Sequence, residues 1–273
     1  PLSGAAVPRH MSETRSRKSR LGLALGLALA AIVSYYVSTT VEFNPITQEE
    51  QRVALSVDQE IALGLQAAPE LSQQFGGVDA ADEDQARLDS IGFKLVRQSA
   101  ASRTPYKYEF TLLADEKTIN AFALPGGQIF ITRALFNKLN DQQLAGVLAH
   151  EMGHVAGRHG AENMARARLT EGLVKAGEVA ITDETDSTAQ KAKIAQLVGT
   201  LVSTRYSREN ELESDDLSVR FMLEAGFDPE AMIGVMEILS ESGAAGPLDF
   251  MSTHPSHGKR IERIRAAIEK YRR

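Results

Sequence analysis

The sequence predicts an α+β protein: a mostly helical domain with a small β-sheet, preceded by one N-terminal hydrophobic helix. Three observations predict it. No charged residue occurs from Leu21 to Val41, residues 106–132 carry strand-like alternation and a turn, and from Asp141 the apolar residues recur at helical spacing nearly to the end. With 273 residues, 43% hydrophobic and 24% charged, the chain can bury a real core, which excludes a disordered or fibrous protein.

The first element is LGLALGLALAAIVSYYV, directly after the basic run RSRKSR. Twenty-one helical residues reach about 30 Å, enough to cross a bilayer, so residues 21–41 read as a membrane anchor or a signal segment. No clear cleavage site follows, which favours the anchor. The positive-inside rule keeps the basic leader, residues 1–20, in the cytoplasm and puts 42–273 on the other side. Residues 1–10 precede Met11 and are expected to be an extension without a role in the fold.

Asn44-Pro45 marks residues 43–50 as a linker. Ser56 and Gln59 form a capping box for a helix to about Phe75, stopped by Gly76-Gly77. A second helix covers 82–99, with Leu88, Ile91 and Leu95 on one face. Tyr106–Leu113 and Asn120–Thr132, the latter broken by Pro125-Gly126-Gly127, are strands and a hairpin. Helices follow at about 141–177, 188–205, 208–225, 228–242 and 256–272, with loops at 182–188 and 243–247 that are candidate lids. One domain, 42–273, holds everything after the anchor.

Charge narrows the chemistry. The 30 basic and 36 acidic side chains leave a net −6. Five of the basic ones (Arg9, Arg15, Arg17, Lys18, Arg20) precede residue 21 with only Glu13 against them, so the other 253 residues carry 25 against 35, or −10. Such a body lacks the clustered cations that nucleic acid demands. Cysteine is absent, so any metal site must be built from histidine and carboxylate.

Residues 150–154 read His-Glu-Met-Gly-His. Histidines one helical turn apart share a face and can reach one metal, with the intervening glutamate beside a bound water as general base. Leu144, Val147, Leu148, Met152 and Val155 place this motif on a buried stripe, where three polar groups cost several kcal/mol unless paired or bound to a metal. Zinc needs a third ligand, and two candidates present themselves. His159 stands one position short of the HExxHxxGxxH spacing, which is filled by Gly160, and on a continuing helix it points about 140° away, toward the surface. Glu211 and Asp215, one turn apart near the start of a later helix, supply a carboxylate ligand and a carboxylate for the free nitrogen of a ligand histidine, which is the better reading.

NAFALPGG, HEMGHVAGRH, SRENELESDD and STHPSHGKRIERI together resemble the membrane-associated zinc metallopeptidases that include HtpX, the CAAX prenyl proteases and the quality-control proteases of BepA, LoiP and mitochondrial Oma type. The resemblance spans most of residues 43–273. It implies a zincin-like domain whose edge strand lies by the active-site helix. It makes His150 and His154 ligands of one Zn²⁺, Glu151 the catalytic base, Glu211 the third ligand and Asp215 the carboxylate that supports the ligand set. Ser214 departs from the family's usual alanine. The single hydrophobic segment fits the single-anchor or exported branch.

An oxyanion donor is still needed. His254, on a loop after a Gly-rich segment, is the first choice, either as that donor or as a resting-state ligand that gates activity; Tyr206 and Arg208 come second. Asn120, Ala121, Phe122 and Ala123 form an edge strand suited to aligning an extended peptide, with Phe122 and Leu124 packing inward. The expected function is zinc-dependent endopeptidase action on unfolded or misassembled membrane or exported proteins, anchored on the periplasmic side of a bacterial inner membrane. The alternatives are a zinc-stabilised chaperone-like binder and a soluble secreted peptidase.

Overall fold

A computed structural model describes residues 9–181, 206–242, 249–254 and 258–272. The helix read over 188–205, the loops at 182–188 and 243–247, and the start of the last helix at 256 lie outside the described residues.

Helix α1 (Arg9–Ser38) contains one stretch, Leu21–Ser38, long and apolar enough to span a membrane, and its leucines are exposed. It ends earlier than the sequence predicts, because Thr40–Asn44 is strand β1, paired antiparallel with β2 (Glu49–Val53). The expected linker at 43–50 is therefore a hairpin. Asn44 makes its turn: its side-chain oxygen accepts from the Ile46 N–H at 2.8 Å and its carbonyl from the Gln48 N–H at 2.8 Å. Glu-Glu-Gln-Arg reads as a polar linker because its side chains are all polar, although Gln51 is buried in the strand.

Helix α2 (Val57–Gln74) starts at the expected Ser56–Gln59 capping box, and α3 (Asp82–Gln98) buries Leu88, Ile91 and Leu95. Strands β3 (Glu109–Leu113), β4 (Ala121–Ala123) and β5 (Gln128–Thr132) form a sheet in the order β3-β5-β4, with β3 parallel to β5 and β4 antiparallel at the edge. Phe122 and Leu124 pack inward against Leu71, Phe75 and Phe130. A short α4 (Arg133–Phe136) leads to α5 (Asp141–Ala156), which is capped by Asn140 and Gln143 and buried from Leu144 to its end. After it come α6 (His159–Ile181), α7 (Arg208–Glu224), α8 (Ala231–Ser242), a single turn α9 (Phe250–Thr253) and α10 (Arg260–Tyr271).

Helix α5 is the centre of the domain, packed against α3, α7, α8 and β4. Its approach to α7 depends on Gly153. A Cβ there would lie 3.0 Å from Ser214 Cα and 3.1 Å from its carbonyl oxygen, too close for ordinary packing.

The continuous helix expected over 141–177 is two helices. The chain breaks at Gly157 and Arg158, the latter in the left-handed region at φ 56°. The β1–β2 hairpin holds this break open. The Asn44 side-chain amide donates to the Ala156 carbonyl at 2.7 Å and that of Gln51 to the Gly157 carbonyl at 2.5 Å, satisfying acceptors that a helix end otherwise leaves unpaired. Arg158 donates to Glu42, to buried Glu60 and to the Leu55 carbonyl. Asn44→Ala removes one of these donors and leaves a buried carbonyl unpaired, so it is expected to cost about 1–3 kcal/mol in urea unfolding. An unchanged midpoint would show that the hairpin does not support the helix end.

Candidate metal centre

Helix geometry places His150 and His154 on one face of α5, and the tertiary fold brings α7 and the loop after α9 onto that face. His150 Nε2 and His154 Nε2 are 3.1 Å apart, and each lies 3.6 Å from a Glu211 carboxylate oxygen. His254 Nδ1 is 3.0 Å from Glu211 Oε1. One ligand atom from each of His150, His154, Glu211 and His254 falls within 4.8 Å of all the others, and all four residues are buried. Donors bound at about 2.0–2.1 Å on the corners of a tetrahedron stand roughly 3.3–3.4 Å apart, so this spacing and its nitrogen and oxygen donors fit one zinc-sized ion.

Beside the group lies Glu151, fully buried and, among the described residues, with no hydrogen-bond partner on either carboxylate oxygen. Its Oε1 is 3.6 Å from His254 Nε2. Burial raises its carboxyl above the ordinary range, and the neighbouring histidines only partly offset this. An unpaired buried carboxylate costs several kcal/mol, and a site kept in that condition has a use for it.

The surrounding groups sort the histidines. His150 Nδ1 is 3.1 Å from Asp215 Oδ1. Burial disfavours its charged form, but Asp215 and Glu211 outweigh burial and push its pKa up to about 9 without a metal. His154 moves the opposite way, well below its ordinary value, because burial and the charge of His150 act together. Glu211 and Asp215 are held ionised despite burial, Glu211 mainly by His254 and Asp215 mainly by Arg260.

Arg260 is the residue that sequence reasoning missed. It is buried at the start of α10, gives two hydrogen bonds of 2.7 Å to Asp215, and sets Nη1 2.9 Å from Glu211 Oε2. A signal was present. Arg260 shares the apolar face of α10 with Ile264, Ala267 and Ile268, and a cation on a buried face must find carboxylates. Arg208, a second-choice oxyanion donor, is exposed in the first turn of α7 and is not brought to the site.

Tyr206 stacks on His154 with ring centroids 3.8 Å apart, and its N–H donates to the Thr253 carbonyl at 3.3 Å, tying it to the His254 loop. Burial pushes its phenol upward, so it stays protonated. Phe250 stacks on His254, and its N–H donates to the Ile119 carbonyl, just before β4. Ala123, Leu124, Pro125, His154 and Tyr206 line a cleft of only about 10 Å³, room for at most one water.

His159 corrects an expectation. It is fully buried, not at the surface, because the break after α5 turns it back onto His154, Nδ1 to Nδ1 at 2.9 Å.

Residues 82–268, more than half of the chain, match the family described as peptidase family M48. The chain belongs to peptidase family M48. The matched M48 segment holds every residue of the centre, whereas α1, the hairpin and α2 precede it. The chain is 34% identical over 182 residues to the beta-barrel assembly-enhancing protease of Escherichia coli, which covers 64% of this chain and 37% of that one. The metalloprotease YcaL of Escherichia coli is 24% identical over 197 residues, 70% of this chain and 75% of the relative. The mitochondrial metalloendopeptidase OMA1 of Schizosaccharomyces pombe is 29% identical over 242 residues, 87% of this chain and 69% of the relative. This M48 chain thus spans little more than a third of the beta-barrel assembly-enhancing protease.

Proposed function

We propose that this M48 chain is a zinc-dependent metalloendopeptidase. The observation that carries the proposal is four buried ligand atoms within 4.8 Å of one another beside a buried, unpaired Glu151. His150, His154 and Glu211 would hold the ion. When bound, zinc polarises the scissile carbonyl and acidifies water. Glu151 would take the proton of the attacking water and pass it to the leaving amine. Asp215 orients His150, and Arg260 orients Asp215.

Strand β4 aligns the substrate. Bonds from the Leu124 N–H to the Gln128 carbonyl and from the Thr132 N–H to the Asn120 carbonyl mark the paired positions, so the N–H and C=O of Ala121 and Ala123 point to the free edge. Main-chain recognition selects extended chain rather than sequence, which suits unfolded or misassembled membrane and exported proteins. The names of the relatives, one concerned with barrel assembly and one mitochondrial, agree with such quality control. The apolar Leu21–Ser38 helix is the anchor, and the basic leader would put the catalytic domain outside the cytoplasm.

The cleft between β4 and Tyr206 holds at most one water in this structure. His254, with its Nδ1 3.0 Å from Glu211, would be a fourth ligand. The primary test is zinc stoichiometry with casein cleavage before and after chelation and zinc return: one zinc per chain and restored activity are expected. His254→Ala keeps three ligands and is expected to retain zinc. Turnover rises if His254 only closes the site and falls about 10²–10³-fold if it also donates to the oxyanion. Undiminished and unraised turnover would remove both roles.

A further inference from the structure

We infer that His159 and Glu213 position His154 as a metal ligand, through a carboxylate–imidazole–imidazole relay. The inference rests on reading His150, His154 and Glu211 as the metal site.

The two ligand histidines of α5 have different support. His150 meets a carboxylate directly, with Asp215 3.1 Å from its Nδ1. Among the described residues His154 meets no carboxylate on that side; its Nδ1 faces His159 Nδ1 at 2.9 Å, and His159 Nε2 lies 2.7 Å from Glu213 Oε2. The hydrogen bonds assign the tautomers. Glu213 accepts only, so His159 donates from Nε2 and keeps a lone pair on Nδ1. That lone pair accepts the Nδ1–H of His154, and the Nε2 lone pair of His154 is left aimed at the ligand group. The other polar neighbour of His159 is Ser214, whose Oγ is 3.3 Å from the same Nδ1.

The backbone is built for this placement. An uninterrupted helix would carry His159 away from His154, and the turn at Gly157 and Arg158 carries it back. Gly157 also makes room: a Cβ at that position would lie 2.4 Å from His159 Nε2. His159 is fully buried, while Glu213 is partly open to solvent, which supplies the relay with a charged end that needs no deep burial.

The test uses the full chain and measures zinc affinity by competition with a chromophoric chelator, together with the visible spectrum of the cobalt-loaded protein. His159→Phe keeps the ring volume but removes both nitrogens, and is expected to weaken zinc binding about 10–100-fold and shift the cobalt bands. His159→Gln keeps a donor and an acceptor and is expected to recover part of that loss. Glu213→Gln, at a partly exposed position that leaves the fold intact, weakens binding in the same direction. Gly157→Ala does so with His159 still present, by displacing its ring. Zinc affinity in His159→Phe and Glu213→Gln equal to that of the parent chain, with unchanged cobalt bands, would overturn the relay. Failure of the parent chain itself to bind one zinc would instead overturn the metal site.

Discussion

Glu151→Gln is expected to bind zinc like the parent chain and to cleave casein about 10²–10⁴-fold more slowly. The substitution keeps the shape of the side chain and removes only its capacity to take a proton. No ligand is lost, since Glu151 lies beside the donor group and not in it. The amide also ends the cost of an unpaired buried carboxylate, so thermal stability should hold or rise. Measuring zinc content, melting temperature and turnover on one preparation separates the outcomes. Parental turnover with full zinc occupancy would exclude Glu151 as the base. Glu211→Ala gives the complementary result, loss of zinc and activity together.

Arg260→Leu is expected to cost about 3–5 kcal/mol, the largest stability effect of any substitution considered, measured by urea unfolding in the presence of a chelator. The guanidinium reaches Asp215 with two bonds and Glu211 with a third contact, and all three residues are buried. Leucine fills much of the volume but strands two carboxylates in the core. The pH dependence has a definite sign. Asp215 is held below its ordinary value of 3.8 because Arg260 outweighs burial, so its stabilising contribution is present above that value and is lost as the pH falls through the lowered one. The variant loses this term, and its deficit should be largest near neutrality and shrink below about pH 4. A deficit independent of pH, or under 1 kcal/mol, would mean that the ion pair does not hold α10 to α7.

Much of the fold was legible because its signals are local. The capping box at Ser56, the Gly76-Gly77 stop and the Pro125-Gly126-Gly127 turn each act within a few residues. The hairpin at 40–53 was not, because Glu-Glu-Gln-Arg carries no apolar side chain, and the burial of Gln51 depends on its bond to the distant Gly157 carbonyl. The end of α5 was hidden for a related reason. Gly157-Arg158 is a modest signal in sequence, and the break is enforced by Asn44 and Gln51, more than a hundred residues earlier.

The sequence by itself determined that a metal site, if present, is made of histidine and carboxylate. It also determined that His150 and His154 share a face with Glu151 between them, because 100° per residue is a property of any α-helix. Only the tertiary structure decided what surrounds that face. The burial of Arg260 against Asp215, the return of His159 onto His154 and the exposure of Arg208 depend on which helices meet, and so on pairings between residues 5 to 55 positions apart. Helical periodicity is set by the backbone alone, whereas those contacts are set by the need of each buried charge and each free helix end for a partner that only the packed chain can bring.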